Sequence, residues 1–315
     1  MGWRKKAYEF TKCISEQPSI LMEGALGERL KREYHLKFDQ NIAMARLVQE
    51  ETGRRALCEL WRQYAAIAEK YSLPFLATTP TRRANAERME KAGCGYELIE
   101  KNVRMLQAVR DQVACEMYVG GLMGCKGDAY SEEDALAEQE AFEFHSWQAE
   151  CFKKAGADFL YAGIMPELYE AAGMAKAMEK TRLPYIISFT IWKDGRLMDG
   201  TTISDAITYI DQCTKIHPVC YMTNCSHPQN VYEALQQSFN RNEIVRNRFL
   251  GIQANTSPLP YAVLDQSADL KCSEPDIFAE EMMHLREISR IKIWGGCCGT
   301  DQRHMEYVAK RLKEE

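Results

Sequence analysis

No stretch of this chain approaches the ~20 consecutive apolar residues that a helix needs to cross a bilayer, so no membrane span is expected. Nor is there an excess of positive charge. Forty Lys and Arg stand against 45 Asp and Glu, a formal net charge of -5. That balance excludes the basic footprint of a nucleic-acid binder and the polybasic strip of a protein that docks on anionic lipid. Met1 to Phe10 carries Arg4, Lys5 and Lys6, but no apolar run follows at once, so a secretory signal is not expected. Low-complexity tracts, proline-rich linkers and short repeats are also missing. With nothing to mark a boundary, residues 1–315 are expected to form one domain in the cytoplasm.

Cysteine, by contrast, is plentiful, with 12 residues. In a chain of this size with a cytosolic character, disulfides are disfavoured, and most cysteines are expected to serve as small buried hydrophobes. The composition is 46% hydrophobic and 27% charged with both signs mixed, which allows a large core under a soluble surface.

A short β-branched or aromatic run, a turn cluster and an amphipathic helical stretch recur along the chain. The runs are 19–23, 74–78, 115–119, 158–162, 184–190, 219–223, 249–254 and 291–294. Helical patterns fill most of 40–71, then 84–91, 96–113, 132–155, 168–180, 204–215, 228–239, 275–289 and 301–313. Eight strands, each followed by helix, point to a parallel sheet. At this length a closed (β/α)8 TIM barrel is the expectation, with an open doubly wound sheet as the alternative.

Barrel enzymes place their chemistry on loops at the C-terminal ends of the strands. Two cysteine features meet that condition. Asn224-Cys225-Ser226-His227-Pro228 follows the sixth strand, and Gly295-Gly296-Cys297-Cys298-Gly299-Thr300 follows the eighth. Only one strand separates these two around a closed barrel, so both loops can reach one point at the mouth. Three thiolates converging there suit Zn²⁺, with a fourth position open to a substrate thiol. Coordination would deprotonate that thiol, which in water is largely protonated at neutral pH. The flanking glycines permit a tight turn, and Thr300 can cap the last helix. The competing reading of Cys297-Cys298 is a buried cysteine pair without a metal.

Other groups carry less. His227 reads as a ligand or as a loop histidine. His145 reads as structural, and His284 and His304 as helix-surface or packing residues. Glu23 ends the first strand and is expected to point toward the mouth. Trp192 and Trp294 read as pocket or core. Gly120-Gly121-Leu122-Met123-Gly124 lacks the spacing and following helix of a phosphate loop, and that reading is rejected.

The ending Gly-Gly-Cys-Cys-Gly-Thr, with a lone Asn-Cys two strands earlier, resembles the homocysteine S-methyltransferase family. Met22-Glu23-Gly24-Ala25-Leu26-Gly27 is similar to that family's opening, and Ala77-Thr78-Thr79-Pro80-Thr81 to its second strand end. Asp194-Gly195-Arg196-Leu197 and Asp199-Gly200-Thr201 resemble its stretch after the fifth strand. The resemblance implies a zinc barrel that moves a methyl group onto a thiol, homocysteine being the reference acceptor in methionine biosynthesis. It implies Cys225, Cys297 and Cys298 as metal ligands. It implies Glu23, Gly24, Thr79, Gly163 and Asn224 as residues near the thiol substrate.

Two departures bear on the substrate. The family's fourth strand ends in a Glu that meets the substrate ammonium, and Gly163 falls at that position. Arg82 adds a positive charge where a carboxylate or sulfonate could dock, or stands as a surface residue at a helix start. The expected donor is betaine-like, a sulfonium compound or a methylcorrinoid protein. The alternative function is a non-catalytic zinc- or thiol-binding barrel, or a subunit docking a corrinoid methyl carrier. A homo-oligomer is left open.

Overall fold

Eight short parallel strands alternate with helices and close on themselves in the computed structural model, which describes residues 2–127, 129–130, 134–258 and 273–314. The strands are β1 (Ile20–Met22), β2 (Phe75–Thr78), β3 (Met117–Met123), β4 (Phe159–Met165), β5 (Tyr185–Phe189), β6 (Cys220–Ser226), β7 (Phe249–Ala254) and β8 (Ile293–Gly296). They pair in sequence order, and β8 returns to β1 through Ile20–Ile293 and Leu21–Trp294. The (β/α)8 TIM barrel expected from the sequence is the observed fold.

Period-two alternation sorts the strand residues into two cores. Inside the barrel lie Ile20, Met22, Leu76, Tyr118, Phe159, Tyr161, Ile186, Cys220, Met222 and Ile293. Their neighbours Leu21, Phe75, Val119, Leu160, Ile187, Tyr221 and Trp294 face outward and pack in the sheet–helix core. Helix Gly2–Glu16, which the sequence pattern did not disclose, adds Phe10, Cys13 and Ile14 to the interior cluster. Phe10 stacks on Phe159 with centroids 4.3 Å apart and meets Tyr118 edge-on.

Several boundaries differ from expectation. β3, β4 and β6 run further than their β-branched runs suggest, so Gly120-Gly121, Gly163 and Asn224-Cys225 lie within strands rather than in the loops after them. A Cβ on Gly120 would sit 2.4 Å from the Phe159 ring, and one on Gly121 would sit 2.4 Å from Phe152. This glycine pair makes room for aromatic rings on both faces of the sheet. The helix expected from Glu132 begins at Glu138; residues 132–133 lie outside the described residues. The helix expected over 275–289 ends at His284 and tightens into a 3₁₀ turn. Helix Glu243–Arg248 was not foreseen. Among the described residues, no helix is long and apolar enough to cross a membrane.

Candidate metal and thiol site

The sixth strand ends irregularly. Asn224 pairs with Gln253 and Ser226 with Ala254, leaving Cys225 between them in a bulge with φ +53°. A bulge re-aims the side chain it carries. β4 has a matching irregularity between Ala162 and Met165, where Ile164 takes φ +60°. Positive φ is rare outside glycine and costs most in a β-branched residue. The two irregular ends are tied together: the Asn224 Oδ1 accepts from the Ile164 N–H at 3.1 Å. Asn224 Nδ2 donates to the Tyr161 hydroxyl (2.8 Å) and to Gln253 Oε1 (2.5 Å), and the Tyr161 hydroxyl donates to the same Gln253 oxygen at 2.8 Å. All three residues are buried.

The β8 end is held from three sides. Gly296 N–H donates to the Glu23 carbonyl, Cys297 N–H to the Ala254 carbonyl, and Gly299 N–H to the Glu28 carboxylate. Gly299 has φ +85° and so suits the turn that an L side chain would strain. The Thr300 hydroxyl donates to the Cys297 carbonyl and accepts from Ala25 N–H. The helix cap that Thr300 was expected to supply comes instead from Asp301, which accepts from the Arg303 and His304 N–H groups.

These anchors bring Cys225, Cys297 and Cys298 together, with their sulfurs all within 4.8 Å of one another. Cys225 and Cys297 are brought together across a separation of 72 residues, their Cα atoms 5.5 Å apart. Barrel closure makes near neighbours of residues far apart in sequence. The donor set fits zinc in its reduced state. Tetrahedral ligation with Zn–S near 2.3 Å separates sulfurs by about 3.8 Å, which small side-chain adjustments can reach from this spacing. Cys298 is the exposed member of the three.

The remaining expected site residues lie on or just after β1, β2 and β4. Gly24 packs against Tyr64, whose hydroxyl donates to the Ala25 carbonyl. Thr79 is fully buried, and its hydroxyl shares a hydrogen bond with Thr81 and accepts from Leu122 N–H. Glu23 does not present its carboxylate to the mouth. It accepts from Trp61 Nε1, from Thr78 N–H and from the Thr78 hydroxyl. Burial outweighs those donors and raises it to about 7. Alternation explains the direction: Ile20 and Met22 face inward, so the next residue after Met22 turns toward the flanking helix. At Gly163, an added Cβ would lie 2.7 Å from Leu122 Cδ1, so an apolar side chain fills the space beside it.

His227 is buried, caps helix Pro228–Gln236 by accepting from Gln229 N–H, and faces Glu281 at 3.1 Å. Burial lowers it to about 4. It stands outside the three-cysteine group. His145 and His304 are buried partners of Glu170 and Asp301. Trp294 belongs to the core, whereas Trp192 is exposed. Tyr161 and Gln253 were missed. Their signal was a polar residue at an inward position of a strand.

A family model described as homocysteine S-methyltransferase matches residues 20–312. The chain belongs to the homocysteine S-methyltransferase family. It is similar to "Homocysteine S-methyltransferase YbgG" of Bacillus subtilis (strain 168), 22% identical, across 94% of this chain and 95% of that one. The fold resembles that of the homocysteine methyltransferase MmuM from Escherichia coli. The oxidized form gives a TM-score of 0.75 and the metallated form 0.73, each 19% identical over 95% of this chain, with 97% and 98% of MmuM covered. Membership makes this chain a methyltransferase of the thiol-methylating type.

Proposed function

We propose that this protein is a zinc-dependent S-methyltransferase whose acceptor is homocysteine or a related small thiol. The observation that carries the reading is the convergence of Cys225, at the end of β6, with Cys297 and Cys298, just after β8, their sulfurs within 4.8 Å. Zinc held by three thiolates keeps one position for a fourth sulfur and stabilises it as a thiolate.

The protein's own residues supply position. The Asn224–Tyr161–Gln253 cluster fixes the bulge that aims Cys225, and the Ala25–Thr300 contact fixes the turn that carries Cys297 and Cys298. The family resemblance puts Gly24 and Thr79 near the amino-acid part of the substrate. In the transfer, a bond forms between the acceptor sulfur and the methyl carbon while the bond from methyl to donor breaks. The electron pair leaves with the donor, so an onium donor departs neutral. A betaine-like or sulfonium molecule, or a methylcorrinoid protein, fills that role. We place the reaction in the cytoplasm.

Metal content tests the reading. The protein kept in a phosphine reductant should hold close to one equivalent of zinc, and Cys298→Ala should fall below about half of that. Equal zinc content in both proteins, or none in either, would remove the basis for zinc-assisted transfer.

A further inference from the structure

The hydrogen bonds around Asn224 run in one direction. A backbone N–H can only donate, so the Ile164 N–H fixes Asn224 Oδ1 as its acceptor and leaves Asn224 Nδ2 as a donor. The two Nδ2 hydrogens go to the Tyr161 hydroxyl and to Gln253 Oε1. The Tyr161 hydroxyl passes its own hydrogen to the same Gln253 oxygen at 2.8 Å. Gln253 Oε1 therefore holds two donors, and its amide cannot turn over without breaking both bonds. The Nε2 group is left over. Among the described residues no acceptor takes its hydrogens, and the nitrogen is not enclosed.

Gln253 lies on β7, the strand between the two that lead into the cysteines. It pairs with Asn224, the neighbour of Cys225, on one side and with Gly295 on the other. The carbonyl of the next residue, Ala254, accepts from Cys297 N–H. The side chain points into the barrel, since it meets Tyr161 of β4 across the interior. Gly295 leaves it room: an added Cβ there would lie 2.8 Å from Gln253 Cγ. Phe10, Cys13 and Ile14 fill the opposite end of the barrel, so the 8% of Gln253 that stays exposed opens at the mouth. Sulfurs that converge from the β6 and β8 ends meet over the end of β7. A fixed N–H₂ donor in that place suits an anion and offers nothing to an onium cation.

We propose that Gln253 Nε2 donates a hydrogen bond to the sulfur of the bound acceptor thiol, which makes Gln253 a substrate-contacting residue that favours the thiolate. This rests on the reading of the three cysteines as a thiol-binding metal site.

The test is calorimetric binding of two thiols to the reduced, zinc-loaded protein. They are homocysteine and 2-mercaptoethanol, which has the sulfur but neither carboxylate nor ammonium. Gln253→Glu keeps an oxygen for Asn224 and Tyr161 and replaces the amide donor, and Gln253→Met removes the amide outright. Both variants should hold as much zinc as wild type, and Gln253→Met should bind both thiols about tenfold more weakly, with Gln253→Glu changed in the same direction. A measurement on the wild type needs no variant. With glutamine labelled with ¹⁵N, one side-chain N–H₂ pair should move downfield when 2-mercaptoethanol binds. Should the variants lose zinc, that shift alone decides. Weakening of homocysteine with 2-mercaptoethanol unaffected would assign the donor to the carboxylate and overturn the proposal. Unchanged binding of both thiols by both variants, or no shifted amide in wild type, overturns it and leaves the thiol site standing. If neither thiol binds wild type, the thiol site itself fails and this proposal falls with it.

Discussion

Glu23 offers a quantitative test of how the mouth of the barrel is built. Its carboxyl is buried and raised from the ordinary 4.5 to about 7, because burial outweighs hydrogen bonds from Thr78 and Trp61. Between those two values, the folded protein keeps a proton that the unfolded chain has released. Folding then takes up a proton, so stability falls as pH rises through this window and levels off above about 7. The shift is about 2.5 units, and at 1.36 kcal/mol per unit it corresponds to roughly 3 kcal/mol between pH 4.5 and 7. Asp158 and Glu167 are also raised by burial and add slopes of the same sign. The informative quantity is therefore the difference between wild type and Glu23→Gln. The variant has its own pH-independent cost of about 1–3 kcal/mol, since its amide N–H₂ meets a donor at Thr78 or Trp61. Urea unfolding of both metal-free proteins, across pH 5 to 7.5, gives the two curves. The variant should lack the part of the decline that Glu23 contributes, so the gap between the proteins narrows by up to about 3 kcal/mol as pH rises. Parallel curves would show that Glu23 is ionised in the folded state throughout this range and that its burial is less complete than described.

Three further outcomes follow from the geometry. Tyr161→Phe removes a buried hydroxyl that bonds Asn224 and Gln253, and should cost about 1 kcal/mol in urea unfolding; an unchanged midpoint would dissolve the cluster as a positioning device. Gly120→Ala drives a methyl group into the Phe159 ring and should destabilise by about 1–3 kcal/mol; an unchanged melting temperature would mean that the β3 glycines do not pack as described. Asp301 is held well below the usual carboxylate range: burial opposes this, but hydrogen bonds from His304 and Arg303 prevail. Its contribution is therefore present above the ordinary aspartate value and is lost as pH falls toward the folded one. Asp301→Asn should lower the melting temperature at neutral pH and lose that disadvantage in acid.

The sequence by itself determined the barrel and the three cysteines. Strand and helix periodicities are local properties, repeated eight times, and barrel closure then confines chemistry to the strand ends. The pairs Asn224-Cys225 and Cys297-Cys298 were legible because they flank β-branched runs. Tertiary structure decided the rest, because it depends on which face a side chain takes and what lies across from it. Glu23 reads as a mouth residue in sequence, but the inward turn of Met22 sends it toward Trp61. Gly163 reads as a missing carboxylate, and only packing discloses that Leu122 fills the place. Cys225 is aimed by a bulge with positive φ that no residue pattern announces. Arg82 reads equally as surface or as site until the fold gathers it with Arg83, Arg88 and Lys126 around one cavity. Spacing along the chain picked out the three cysteines. They come from strand ends distant in sequence, and only closure of the barrel brings these together.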